Sequence, residues 1–259
     1  MRTRIAPTPS GPLHLGNAVN FLVTWALARS RGGEVLLRVD DADPQMDQPG
    51  FRAEIHDTLQ WMEIAFTAEL PSQRTRYDRY NLVLEEMRSK GLVFACDCSR
   101  SAIRANSLDG NYPGTCVNRN IPLDAPNVAW RFNVRGPLPY PVVRLRLGIP
   151  AYHVASLCDD VDNAITHVVR GQDLAPSTWV QREIAKQCSS VGGFCNVEVF
   201  HHGLVNSPEG RKLSKSRGAA SLASLRGNGL TVLHIAEHAL QLHLPPDLAS
   251  IIQRRFNLH

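Results

Sequence analysis

TRIAPTPSGPLHLGNAVNFLVTWALARSRGGEVLLRV, running from Thr3 to Val39, decides the fold. Thr3 to Ala6 reads as a short strand, and Pro7-Thr8-Pro9-Ser10-Gly11-Pro12 as a turn-rich break after it. From Gly16 to about Arg31 apolar residues recur at helical spacing (Val19, Leu22, Val23, Ala26, Leu27), and Gly32-Gly33 supplies a stop. Glu34 to Val39 then reads as a buried strand. A strand, loop, helix and strand in succession imply a parallel sheet joined by right-handed crossovers.

The pattern continues outward from this unit. Helices are expected at Phe51 to Ile64 and at Arg76 to Lys90, the second ended by Gly91. Strand-like segments follow at Val128 to Val134, Val142 to Leu147, Ile165 to Arg170 and Val197 to His201, with a helix at Pro176 to Cys188. Strands alternating with helices make the fold class α/β. Cys96 to Cys116 bears Gly, Asn and Pro and reads as an insert. The expected division is a first half of the main domain at 1–92, the insert with connecting strands at 93–150, a second half at 151–218 and a short helical tail at 219–259. The tail carries a helical pattern from Thr231 to Leu242, too little for a second domain on the usual scale of about 100 residues.

With 259 residues and 43% hydrophobic content the chain can fill the core of one generous domain. No run of about 18 apolar residues occurs, and residues 1–30 lack the succession of a signal peptide, so a cytoplasmic protein is expected. The net charge of +4 permits a polyanionic partner without requiring one. Six cysteines are too few for a disulfide framework. Cys158, Cys188 and Cys195 read as core or structural thiols, and Asp159, Asp160 and Asp162 as a solvated or helix-supporting group.

Two segments point to chemistry. His14-Leu15-Gly16-Asn17 stands where the first strand gives way to the first helix. Unpaired backbone N–H groups and the positive dipole end favour a phosphate there, and glycine allows its close approach. Some 200 residues on, Lys212-Leu213-Ser214-Lys215-Ser216 sets two lysines and two hydroxyls in a loop flanked by glycine, suited to clamping a triphosphate. His201-His202, just past a strand, offer a further ATP contact.

In this order the two segments resemble the HIGH and KMSKS signatures of class I aminoacyl-tRNA synthetases, with Asn17 in place of the second histidine. The resemblance implies a Rossmann-type parallel sheet that binds ATP with Mg²⁺ and forms an aminoacyl-adenylate. His14 and Lys215 would stabilise the developing charge at phosphorus, with Asn17 and Lys212 beside them, while Gly16, Lys212 and Ser214 would help hold ATP. RIAPTPSG from Arg4 resembles the opening of glutamyl-tRNA synthetases. That implies Arg4, Ala6 and Thr8 at the amino acid, the arginine pairing with the side-chain carboxylate. Tyr152 and Arg170, the latter opening Arg170-Gly171-Gln172-Asp173-Leu174, match the family's other substrate positions. Asp40, in Arg38-Val39-Asp40-Asp41-Ala42-Asp43, stands where the family's RIEDTD has a glutamate that takes the substrate ammonium.

Cys96-x-Cys98 followed by Tyr112-x-x-x-Cys116 offers three thiolates and a phenolate, four ligands for a tetrahedral zinc. Three unmetallated buried thiols with Tyr112 simply packing are the alternative reading of the spacing. The pattern also resembles the zinc insert of glutamyl-queuosine tRNA(Asp) synthetases, which attach glutamate to queuosine in the anticodon loop of tRNA(Asp) and lack an anticodon-binding domain. The resemblance implies one structural Zn²⁺ and, as partners, ATP, L-glutamate and queuosine-bearing tRNA(Asp), served by a monomer. Other readings remain at this stage: a truncated glutamyl-tRNA synthetase charging a tRNA 3′ end, a non-catalytic tRNA-binding paralogue, and a small-molecule nucleotidyltransferase.

Overall fold

The computed structural model describes residues 1–107, 111–205 and 220–258. In chain order the strands are β1 (Arg2–Ile5), β2 (Glu34–Leu37), β3 (Ala68–Glu69), β4 (Val93–Cys96), β5 (Ala129–Phe132), β6 (Val142–Arg144), β7 (His167–Gly171) and β8 (Glu198–His202). The α-helices are α1 (Leu15–Ser30), α2 (Pro49–Trp61), α3 (Tyr77–Ser89), α4 (Arg100–Ala105), α5 (Tyr152–Asp162), α6 (Ala175–Gln187), α7 (Leu222–Gly227), α8 (Val232–Leu240) and α9 (Pro246–Phe256). The chain divides into two compact units, one of 1–72, 164–175 and 197–259, the other of 73–163 and 176–196.

The first unit is built on parallel pairing. Arg2 opposes Glu34 through to Ile5 opposite Leu37, and Leu36 opposes Ala68. His167 opposes Glu198 through to Gly171 opposite His202. The two groups of strands meet where the Thr166 N–H donates to the Arg2 carbonyl at 2.9 Å and the Arg2 N–H to Thr166 Oγ1 at 2.9 Å. Helix α1 is apolar on nearly every face and packs on both sides, against β1 and β7 and against α8 and α9. Burying Leu22 or Val23 completely stabilises the unit by about 1.5–3 kcal/mol each. Gly32 ends the helix at φ +56°, a backbone conformation that glycine adopts without Cβ strain.

The second unit contains an antiparallel sheet, Val93 opposite Phe132 and Arg131 opposite Val142, with α3 packed on α5. Its interior corrects one expectation. Asp159 and Asp160 are buried, 2% and 0% exposed, instead of solvated. Asp159 accepts from Gln73 Nε2 at 2.7 Å, Arg76 Nε at 2.8 Å and Tyr80 Oη at 2.8 Å, while Asp162 pairs with Arg76 and Arg79. A carboxylate met by three donors loses little by leaving water. Cys158 and Cys188 are buried, whereas Cys195, expected to be a core or structural thiol, is exposed and so not in the core. Among the described residues no helix is long and apolar enough to cross a membrane.

Candidate functional site

Some of the residues expected around glutamate, Arg4, Ala6, Thr8 and Asp40, lie on or just past β1 and β2. Pairing continues past the strands: the Arg38 N–H donates to the Ile5 carbonyl at 2.9 Å and the Asp40 N–H to the Pro7 carbonyl at 2.9 Å. Ala6, Thr8 and Asp40 therefore share one strand end, with Arg4 on β1 buried to 4% exposure. Asp40 does not stand alone. Its Oδ1 accepts from Arg38 Nε at 2.7 Å, and both side chains are almost completely buried. The next residue, Asp41, accepts from Arg52 Nη2 and Ser72 Oγ, each at 2.6 Å, tying the end of β2 to α2. Arg38 is a residue that sequence reading missed, although its i, i+2 spacing to Asp40 on an extended segment was a usable signal.

His14 occupies the N-cap of α1, and its N–H donates to Asn17 Oδ1 at 3.0 Å. Asn17, expected to act on phosphate, thus fastens the first turn of the helix, as a capping-box residue does. A Cβ on Gly16 would lie 3.0 Å from the His14 ring, so glycine lets the imidazole fold over the helix start. Glu54 on α2 holds the approach to this turn through the Leu13 N–H at 3.3 Å, and burial pushes its carboxyl up. No local pattern announced that contact, because the two residues belong to different elements.

On the neighbouring strands Arg170 is 3% exposed on β7 and pairs in register with His201. His202 Nδ1 lies 2.7 Å from the Gly203 carbonyl, so that nitrogen bears the proton and Nε2 accepts from Asn20 Nδ2 at 3.1 Å. Burial pushes the His202 pKa down, which keeps the ring neutral and commits it to joining β8 to α1. Lys212, Ser214 and Lys215 lie outside the described residues. Tyr152 belongs to the second unit, where it opens α5 and its ring meets His153 edge-on.

The second unit also assembles the cysteine cluster. Cys96 ends β4, Cys98 precedes α4, and the sulfurs of Cys96, Cys98 and Cys116 all lie within 4.8 Å of one another. Cys98 Sγ is 3.4 Å from Cys116 Sγ, and Cys96 Sγ is 3.5 Å from Tyr112 Oη. Zinc bound at about 2.3 Å to each sulfur places tetrahedral thiolates about 3.8 Å apart, so this donor set fits the metal. Burial pushes the Cys98 thiol up to about 11, with help from Cys116 and Cys96. It opposes ionisation at Cys96 too, but Tyr112 and Arg131 overcome it and hold that thiol below its ordinary value. Arg119 forks onto Asp97 at 2.6 and 3.0 Å and approaches Cys116 Sγ at 3.4 Å.

Comparison with known proteins accounts for this architecture. The family model described as tRNA synthetases class I (E and Q), catalytic domain, matches residues 1–112 and 128–247. The glutamyl-Q tRNA(Asp) synthetase of Prochlorococcus marinus (strain MIT 9303) is 34% identical over 248 residues, 90% of this chain and 79% of its own length. Its namesake in Pseudomonas putida is 36% identical over 230 residues, 82% of this chain and 75% of its own. Among solved structures, the glutamate-tRNA synthetase of Elizabethkingia anophelis has the same fold, with a TM-score of 0.76 at 23% identity. That alignment spans 98% of this chain and 65% of the solved one. The sheet order, the HLGN turn and the matched residues thus have one explanation: the chain belongs to the class I tRNA synthetase (E and Q) catalytic-domain family and is, like its homologues, a ligase.

Proposed function

We propose that the protein activates glutamate with ATP and transfers the glutamyl group to queuosine in the anticodon loop of tRNA(Asp). The reading is carried by its 34–36% identity, over most of the chain, to two proteins named for that reaction. The clustering of Cys96, Cys98, Tyr112 and Cys116 supports it.

In the first half-reaction a glutamate α-carboxylate oxygen attacks the α-phosphorus of ATP, and pyrophosphate leaves. In the second, a queuosine hydroxyl attacks the acyl carbon and AMP leaves. No covalent intermediate on the protein is needed, so the side chains act by placing reactants and meeting charge. Arg4, buried and fork-shaped, receives the side-chain carboxylate, with Ala6, Thr8 and Arg170 completing the amino-acid site, while Tyr152 is a glutamate contact on the strength of the family resemblance alone. Asp40 takes the substrate ammonium, its carboxylate aimed by Arg38. His14, Gly16 and Asn17 present the N-terminus of α1 to the phosphates, and Lys212, Ser214 and Lys215 hold them from the other side. Mg²⁺ accompanies ATP. Zn²⁺ held by Cys96, Cys98, Tyr112 and Cys116 is structural, since four protein ligands fill its coordination. The enzyme works as a cytoplasmic monomer.

The test is amino-acid-dependent exchange of pyrophosphate into ATP without tRNA, followed by transfer of labelled glutamate to tRNA(Asp) with and without queuosine. Exchange with glutamate and transfer only to the queuosine-bearing tRNA is the expected result. Transfer to the 3′ end of tRNA(Glu) would replace this acceptor, and absence of exchange with any amino acid would replace the catalytic reading with a binding one.

A further inference from the structure

Arg131 is a buried cation with no carboxylate beside it. Its side chain lies on β5 at 8% exposure, and among the described residues no aspartate or glutamate pairs with it. Nη1 donates to the Tyr140 carbonyl at 2.7 Å, a neutral acceptor, and Nε is buried without a hydrogen-bond partner. A guanidinium removed from water at such a place needs an anion near it, because a buried charge is tolerated only when compensated.

The nearest candidates are the donors of the cysteine cluster. The guanidinium carbon stands 3.7 Å from the centre of the Tyr112 ring, closer than any other arginine–ring approach in the described chain. Tyr112 Oη in turn sits 3.5 Å from Cys96 Sγ and accepts the Cys116 N–H at 2.8 Å. The other arginine at the cluster, Arg119, already forks onto Asp97, so that pair adds no net charge. Three thiolates and a phenolate around a divalent zinc sum to a formal charge of about −2.

We propose that Arg131 is the counter-ion of this metal centre, a positioning residue that touches no ligand-to-metal bond but makes an anionic four-donor site tolerable inside the protein. The inference rests on the zinc reading above. The cation lies against the face of the Tyr112 ring, and its hydrogen bond to the Tyr140 carbonyl fixes it there. Tyr140 and Phe94 pack edge-on against each other and enclose Tyr112, which keeps water from screening the charge.

The test compares zinc retention by the full chain, purified with its metal, against a chromophoric chelator of known affinity. Arg131→Gln removes the charge and keeps a donor for the Tyr140 carbonyl, whereas Arg131→Lys keeps the charge. R131Q is expected to bind zinc about 10–100-fold more weakly than the parent, and R131K within about threefold of it. R131Q retaining zinc within threefold of the parent overturns the proposal. So does a folded R131K that is weakened tenfold or more, and this second arm decides the matter if R131Q does not fold. A parent protein that holds no zinc when metal is supplied would instead sink the metal reading itself.

Discussion

Replacing Asp40 with Asn removes a charge from the proposed glutamate site while keeping the shape of the side chain. Its carboxylate meets Arg38 Nε at 2.7 Å with side-chain exposures of 6% and 1%, so solvent screens the pair little. Breaking a buried ion pair costs about 3–5 kcal/mol. Asparagine keeps an acceptor oxygen for Arg38, and a neutral hydrogen bond restores about 1 kcal/mol. The expected net loss is about 2–4 kcal/mol, located at the end of β2. Amide hydrogen exchange over residues 34–42 reads it directly, because Arg38 N–H and Asp40 N–H are bonded across to Ile5 and Pro7. Protection there should fall about 30- to 700-fold, each 1.4 kcal/mol being tenfold. In the exchange assay the KM for glutamate should rise by at least about tenfold, since under the proposed function the substrate ammonium loses its counter-charge. Protection within threefold of the parent, together with an unchanged KM, would refute both the pairing and the role given to Asp40.

Three further outcomes follow from the geometry. Asp159→Ala removes the buried acceptor that Gln73, Arg76 and Tyr80 share, so thermal unfolding should shift down by roughly 6–20 °C, from a loss of about 3–5 kcal/mol. Adding Tyr80→Phe should then cost less than it does in the parent, and additive effects would dismiss the network. At Glu86, burial opposes ionisation, but Lys90, the Ser190 hydroxyl and the Ser189 and Ser190 amides hold the carboxyl at about 2. With the folded pKa depressed, this stabilisation is present above the unfolded value near 4.5 and disappears as pH falls from 4.5 to 2. Urea titrations of Glu86→Gln and the parent should therefore converge at the acid end, and a constant gap would contradict the assignment. Asn17→Ala should destabilise α1 by about 0.5–2 kcal/mol even without ligand, whereas a change confined to ATP affinity would return Asn17 to a purely phosphate-binding role.

The local sequence determined the first unit well, for a physical reason. Strand, turn, amphipathic or apolar helix and glycine stop are short-range signals, and α1 and β2 begin and end within about two residues of their expected places. The HLGN and Cys-x-Cys patterns were legible in the same way, since each is a few adjacent residues whose chemistry reads without knowing their neighbours. What the sequence left open were partnerships across many residues. Asp159, Asp160 and Asp162 look like solvent-loving positions until Gln73, Arg76 and Tyr80 arrive from about 80 residues away, and only then can α5 bury its acidic end. The antiparallel pairing of β4, β5 and β6 likewise depends on register, which alternation within one strand does not specify. Arg131 shows the division most plainly. As a letter it is one arginine among many, and only the fold, by placing it over Tyr112 with no carboxylate pairing with it among the described residues, makes it a buried charge facing the cysteine cluster.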